Sequence, residues 1–345
     1  MTEDSYLRWL VNETPTAWWH DSGDPDELRQ GLAHGAAGVT TNPVLAAAAL
    51  TSHPEKWAAA LRDSAQGSSP AERAELLMRA VVANAAKMFL PVYERTGRKH
   101  GYVCAQVNPA MAGERAPMLQ MARRLHAWAP NIAVKLPATA AGLDVLEDCA
   151  AEGISVTATV SFTVPQVVAV AERYRRGLER ARKVGIELGR CFAVVMIGRL
   201  DDYLREVAHD RKADVTESDI RQAGIAVTKR AYSLYKERRY EAVLLVAALR
   251  GTHHMEALAG AELIMSIHPK VQVLLLQPGV AREPNGIAAP VPLEVVRRLE
   301  RIPEFARAYD PEGMTPEEFI MYGVTQRTLS QFLDAGWARM EALQK

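Results

Sequence analysis

Lys135 is the only charged group in Asn131-Ile132-Ala133-Val134-Lys135-Leu136-Pro137-Ala138-Thr139, a run that otherwise reads as a buried strand. Burial disfavours an ammonium ion and lowers its pKa. A neutral amine at the end of an apolar strand can attack a ketone and form a Schiff base. The plain alternative is a strand-end lysine whose head snorkels to water. Other polar residues sit where neighbouring β-like runs finish: Asp21, Asn42, Gln106, Thr159, Arg199, Arg250 and His268. Each has an ordinary explanation of its own. Asn42 before Pro43 is a good helix N-cap with proline in the first turn. Asp21 could cap a short helix through Ser22-Gly23-Asp24, and Arg199 could pair with Asp201 or Asp202 at the surface. His253 and His254, where a loop runs into a helix, need no role. Convergence of many strand ends on one spot is harder to explain by chance than any single member.

The elements that would bring them together alternate along the chain. Eight β-like runs are expected at residues 16–20, 38–41, 102–107, 132–136, 154–160, 192–197, 242–248 and 263–267. Amphipathic stretches lie between them. Met118, Met121 and Leu125 share one face of residues 116–127, as do Leu143, Leu146 and Ala150 in residues 140–152. Residues 164–188 read as a long helix with an outer face rich in Arg and Glu. Thr216-Glu217-Ser218-Asp219 resembles a capping box opening a helix over 220–237. Strand–helix repetition implies a parallel sheet, and eight units is the count that closes an α/β TIM barrel, (β/α)8. A doubly wound open sheet usually carries a Gly-rich phosphate loop after its first strand, and no such loop follows here. Residues 50–84 should hold two helices with Gly67-Ser68-Ser69-Pro70 as their turn. Residues 277–292, rich in Pro and Gly, read as a loop. Residues 293–299, 316–322 and 328–343 read as additional C-terminal helices. The expected organisation is a single domain over 1–345, with 278–345 as a helical extension packed on the barrel.

Composition narrows the class. The chain has 345 residues, 48% of them hydrophobic, enough for one large α/β barrel. Lys+Arg and Asp+Glu both total 41, so no net charge argues for nucleic acid or an anionic membrane as a partner. The nine histidines show no HExxH spacing. Cys104, Cys149 and Cys191 are widely spaced among apolar neighbours, which suits reduced core thiols in a cytoplasmic protein. Met1-Thr2-Glu3-Asp4-Ser5 is acidic and lacks the apolar centre of a signal peptide. No apolar run is expected to reach the length of a membrane span.

Five stretches carry a family likeness: Gly38-Val39-Thr40-Thr41-Asn42-Pro43; Ala133-Val134-Lys135-Leu136-Pro137-Ala138-Thr139 with Gly142; Gly153-Ile154 with Thr159 and Gln166; Gly198-Arg199-Leu200-Asp201-Asp202; and Ala247-Ala248-Leu249-Arg250. In these, spread over about two thirds of the chain and in the family's order, the sequence resembles the transaldolases and their smaller relatives, the fructose-6-phosphate aldolases. The resemblance implies a class I aldol mechanism with no metal and no cofactor, acting on a sugar or sugar phosphate. Lys135 would form an iminium with the C2 carbonyl of a ketose. Asp21 matches the family's acid/base carboxylate, and Asn42 the residue that bonds the three-carbon fragment. Thr159 matches the hydroxyl that helps hold a catalytic water. Arg199 and Arg250 match the arginines that bind the sugar phosphate, a task suited to guanidinium forks. Thr41 beside Asn42, and Met196 just before Gly198-Arg199, are further expected substrate contacts.

Departures from the family pattern bear on the reaction. Gln106 stands where transaldolases place a glutamate, and an amide cannot accept a proton. The aldolases also carry glutamine here but add a tyrosine on the following strand, where this chain has Phe162. Val194 and Met196 replace a serine and an aromatic residue, and Ala248 replaces a serine near the phosphate. The leading expectation is transfer of a dihydroxyacetone unit between a ketose and an aldose in carbohydrate metabolism, as in the pentose phosphate pathway. The alternatives are a ketose aldolase and a non-catalytic barrel that binds a sugar phosphate. Nothing in the residues fixes the oligomeric state; a homodimer is the assembly considered.

Overall fold

A computed structural model describes residues 5–64 and 69–343. Gly67 and Ser68, from the expected turn, lie outside the described residues, as do Met1-Thr2-Glu3-Asp4. Eight parallel strands close into a barrel in chain order: β1 (Ala17–Asp21), β2 (Gly38–Thr40), β3 (Tyr102–Gln106), β4 (Ile132–Pro137), β5 (Val156–Thr159), β6 (Cys191–Met196), β7 (Val243–Ala247) and β8 (Ile264–Ile267). β1 meets β8 with Trp19 opposite Ser266, which completes the (β/α)8 ring. Each strand falls within about two residues of its expected run, a shift of the size that separates boundary definitions.

Side chains alternate across a strand, so the register decides which residues face the barrel interior. Trp19 of β1 and Phe192 of β6 meet edge-on at 4.6 Å, and Tyr102 of β3 meets Phe192 at 5.3 Å. These three rings fill the middle of the barrel. Gly38 makes room for them: a Cβ there would stand 2.6 Å from the Trp19 indole. Above this layer several strands turn polar side chains inward: Asp21, Thr40, Gln106, Lys135, Thr159 and Ser266.

The helices follow their sequence signals. Thr216 and Asp219 cap each other's backbone at the start of helix Glu217–Glu237, as the capping box predicts. Ser69 and Glu72 do the same at the start of helix Pro70–Arg95. Contrary to the expectation from composition, that helix holds a stretch long and apolar enough to cross a membrane. Half of the stretch is buried inside the protein, where Leu77, Val81 and Phe89 join the core.

The C-terminal segment is more finely divided than its apolar pattern suggests. It runs through helices Leu293–Leu299, Pro303–Tyr309, Pro316–Phe319 and Gly323–Phe332, a π-helical turn at Leu333–Trp337 and a last helix, Ala338–Ala342. Helix Pro303–Tyr309 was not anticipated, nor was Tyr6–Glu13 at the other end. The π-turn returns to the barrel opening. Gly336 lies against Pro43, where a Cβ would stand 2.6 Å from the proline ring, and Trp337 is buried.

Candidate active site

β4 places Lys135 on the inner wall between Gln106 of β3 and Thr157 of β5. Its Nζ is buried and donates to the Thr41 carbonyl at 2.9 Å, so the head does not snorkel to water. Burial pulls its pKa below that of a free lysine; nearby Cys104 and Asp21 oppose the shift, and Arg199 adds to it. The Thr41 side chain faces away, its hydroxyl donating to the Cys104 carbonyl at 2.6 Å. Thr41 therefore holds the amine through its backbone carbonyl, while its hydroxyl fastens the end of β2 to β3.

Asp21 ends β1, but it is Asp24 whose carboxylate caps helix Pro25–Ala33. Asp21 instead accepts the Thr40 hydroxyl at 2.6 Å. Thr40 Oγ1 also lies 2.6 Å from Ser266 Oγ. Since Thr40 gives its single proton to Asp21, Ser266 donates to Thr40, and a hydroxyl relay runs from β8 across β2 to β1. Asn42 does cap its helix, Pro43–Ser52: Oδ1 accepts from Val44 and Leu45 at 2.9 and 3.0 Å. That fixes the amide orientation and leaves Nδ2 a donor with no partner among the described residues.

Gln106 and Thr159 are buried on the same inner wall, and neither Gln106 Oε1 nor Thr159 Oγ1 has a hydrogen-bond partner among the described residues. Buried polar atoms in this condition are uncommon in folded proteins. Phe162 is wholly buried, and its N–H is held by Gln166 Oε1 at 2.9 Å. Gln166 Nε2 donates to the Val160 carbonyl at 3.0 Å and to that of Ala138 at 3.3 Å, tying the ends of β4 and β5 together. Val194 and Met196 are buried on β6, and the Met196 N–H donates to the Ser161 carbonyl at 2.9 Å.

The two arginines are held differently. Arg250 places Nε and Nη2 on Asp202 Oδ2 at 2.9 and 2.7 Å, and Nη1 on the Ala248 carbonyl at 2.9 Å. Ala248 takes the left-handed conformation, φ +60°, rare for a residue with a side chain. Gly198 admits the Arg250 stem: a Cβ there would stand 2.5 Å from Arg250 Cγ and would strike the Ala248 carbonyl. Beneath, His254 Nδ1 accepts the Arg250 N–H at 3.2 Å, which puts the ring proton on Nε2, facing Asp201 Oδ2 at 2.9 Å. Asp201 Oδ1 also accepts the Gly224 N–H at 2.8 Å, and burial raises the carboxyl's pKa against the pull of His254. Neither aspartate pairs with Arg199, and His254 has a positioning role that its sequence context did not disclose. Arg199 donates to Gln331 Oε1 at 2.5 Å and lies 5.4 Å from the Phe332 ring centre. Burial lowers its pKa, with Arg250 adding to the effect.

Asp21, Asn42, Arg199 and Arg250 line one cavity of about 300 Å³, together with Ser266, Lys270 and Phe332. Lys135, Gln106, Thr159, Thr41 and Met196 do not line it; the first three are buried on the barrel's inner wall. Ser266, Gln331, Phe332 and His254 join the arrangement without a local sequence signal, and Thr40 from within a stretch already singled out. Such a site can bind an anionic end with guanidinium groups, place a carbonyl near a low-pKa amine, and move a proton at Asp21. Among the described residues no three of His, Cys, Asp and Glu gather into a set that could hold a metal ion.

Comparison with known proteins points the same way. Residues 18–298 match the family described as Transaldolase/Fructose-6-phosphate aldolase. The chain is 28% identical to a transaldolase of Thiobacillus denitrificans, across 96% of this chain and 95% of the relative. It is 32% identical to transaldolase 1 of Streptomyces avermitilis, across 67% of this chain and 64% of the relative. With a transaldolase of Neisseria gonorrhoeae the identity is 33%, over 61% of this chain and 59% of the relative.

Proposed function

The chain belongs to the transaldolase/fructose-6-phosphate aldolase family, and we propose that it is a transaldolase-like transferase that moves a dihydroxyacetone unit between sugars through an imine on Lys135. The observation that carries this reading is the buried amine of Lys135, its pKa lowered by burial, within electrostatic reach of Asp21 and Arg199, which line one cavity with Arg250.

The Lys135 amine adds to the ketose C2 carbonyl and loses water to give an iminium ion. Its positive charge draws the electron pair of the C3–C4 bond as Asp21 takes the C4 hydroxyl proton. An aldehyde leaves, and the three-carbon unit stays on Lys135 as an enamine. The enamine carbon then attacks the carbonyl of an acceptor aldehyde, Asp21 returns the proton, and water releases the new ketose from Lys135. The Thr40–Ser266 relay holds the Asp21 carboxylate in one orientation throughout. Asn42 Nδ2 is free to donate to the fragment's oxygens. Gln106 Oε1 and Thr159 Oγ1 are free to orient the water that adds to the iminium, although Gln106 cannot deprotonate it. Arg199 and Arg250 would take the phosphate, which must accept from the guanidinium N–H groups that Gln331 and Asp202 leave uncommitted.

A second reading, hydrolytic ketose cleavage, draws support from the amide at Gln106. Enamine protonation separates the two. With no carboxylate at Gln106 and no phenol at Phe162, protonation should be slow, which favours transfer. The three free, buried thiols suit a reducing cytoplasm as the setting. Borohydride added with fructose 6-phosphate should leave a reduced three-carbon adduct on the peptide bearing Lys135. With an aldose phosphate acceptor present, ketose should be consumed faster than free dihydroxyacetone is released. No adduct on Lys135 would sink the imine mechanism, and equal rates would replace the transferase with the aldolase.

A further inference from the structure

We propose that the opposite, N-terminal end of the barrel holds a second site, for a small organic anion bearing a phosphate or carboxylate group. A cavity of about 650 Å³ opens there, larger than the 300 Å³ cavity at the active end. It lies within the roughly 300–1,000 Å³ range of small-molecule sites. The first inward residues of three strands, Ala17, Val243 and Ile264, line it. The Trp19–Phe192–Tyr102 layer separates it from Lys135.

Its charge is one-sided. Arg95, Lys99, Arg190 and Lys236 line it, against two carboxylates, Glu241 and Glu262. Both carboxylates have partners: Glu262 pairs with Lys236 at 2.9 Å, and Glu241 with Arg182 at 2.6 Å. Arg190, just ahead of β6, has no carboxylate partner among the described residues. Its backbone is fixed, the N–H donating to Ser155 Oγ at 3.0 Å and the carbonyl accepting from Val156 at 2.7 Å. Its guanidinium lies 5.9 Å from the Phe192 ring centre, with Nε buried and without a hydrogen-bond partner among the described residues. His100 Nδ1, on the wall beside it, is likewise buried and unpartnered. Burial, Lys99 and Arg190 together lower the His100 pKa, which places the three groups within electrostatic reach of one another. A buried donor left unpaired forfeits its hydration with nothing in return, so a ligand that pairs with it is favoured. An oxyanion beside Arg190 would accept from Nε and be held by Lys99, while the Ala17, Val243 and Ile264 wall would cover an organic tail. The inference does not depend on the imine chemistry, since the two cavities share no lining residue.

The test is calorimetric titration of the full chain with inorganic phosphate, glycerol 3-phosphate and citrate. The intact protein should show two binding events with the phosphate ester, of which Arg250→Gln removes one. Arg190→Gln should weaken the other at least about tenfold, the size expected of a charge-assisted hydrogen bond, and leave saturated ketose turnover unchanged. Lys99→Gln, at an exposed position, should weaken the same event severalfold and tests the site even if Arg190→Gln fails to fold. The tighter of glycerol 3-phosphate and citrate assigns the head group. The proposal fails if Arg190→Gln or Lys99→Gln, properly folded, binds these anions as the intact protein does. It also fails if neither organic anion binds more tightly than inorganic phosphate.

Discussion

Burial of Lys135 can be read out in stability as well as in chemistry. Because the folded-state pKa lies below the 10.5 of an ordinary lysine, the unfolded chain binds more protons between the two values. The Lys135 contribution to stability therefore rises with pH across that window and is lost as pH falls through the folded pKa. Lys135→Met should abolish turnover and borohydride trapping while changing neutral-pH stability by less than about 1.5 kcal/mol, since the volumes are similar. In urea unfolding from about pH 7 to about pH 10, the intact protein should gain on the variant with each step in pH. A gap that stays constant would mean the ammonium is not destabilised by burial, and retained turnover would refute the mechanism. At Gln106, restoring a carboxylate should change one half-reaction by roughly tenfold to a thousandfold if the position touches the reacting water. Acceptor transfer and dihydroxyacetone release would be followed separately in Gln106→Glu. Two unchanged rates would remove Gln106 from the relay. Ala248, in its left-handed turn beside Arg250, is a departure that nothing in the structure explains.

Element by element, the segment from Gly198 to Arg250 works as a clamp. β6 leads into Gly198-Arg199, β7 ends at Ala247, and the absence of a side chain at Gly198 lets the Arg250 stem cross between them. Gly198→Ala should push Arg250 off Asp202 and cost about 1–3 kcal/mol through overpacking. The KM for a phosphorylated ketose should rise well above that of the intact protein, while an unphosphorylated ketose is little affected. If both substrates suffer alike, the clamp does not serve the phosphate. The contrast between what was and was not legible follows from chain separation. Lys135 stood out because it interrupts an apolar run, and the strand ends because alternating periods mark them. The Thr40–Ser266 bond spans 226 residues and the Arg199–Gln331 bond 132, so no local spacing could reveal either. His254 was passed over because a histidine in a helix's first turn is ordinary until Asp201 is seen beneath it. The C-terminal boundaries blurred for a different reason. Helices of four to seven residues, opened by Pro303 and Pro316, are too short to establish an amphipathic period.

Across the whole molecule, the aromatic layer of Trp19, Tyr102 and Phe192 divides the barrel into two ends that share strands but not solvent. Phe192→Ala should cost about 3–5 kcal/mol, the usual loss for a buried phenylalanine. The altered protein, while folded, should still form the Lys135 adduct. Loss of trapping at a temperature where circular dichroism shows a native fold would mean that the layer shapes the site directly. The C-terminal segment binds the two halves of the chain differently, by returning over the finished barrel to lay Gln331 and Phe332 on Arg199 and Gly336 on Pro43. A ribosome therefore makes all eight strands, and the lysine they carry, well before it makes the residues that lean on Arg199. Chains arrested between β8 and Gln331 should already trap a ketose on Lys135 yet turn over sugar phosphates poorly, and chains released past Trp337 should do both. During synthesis, the capacity to bind a ketone would precede the capacity to choose one.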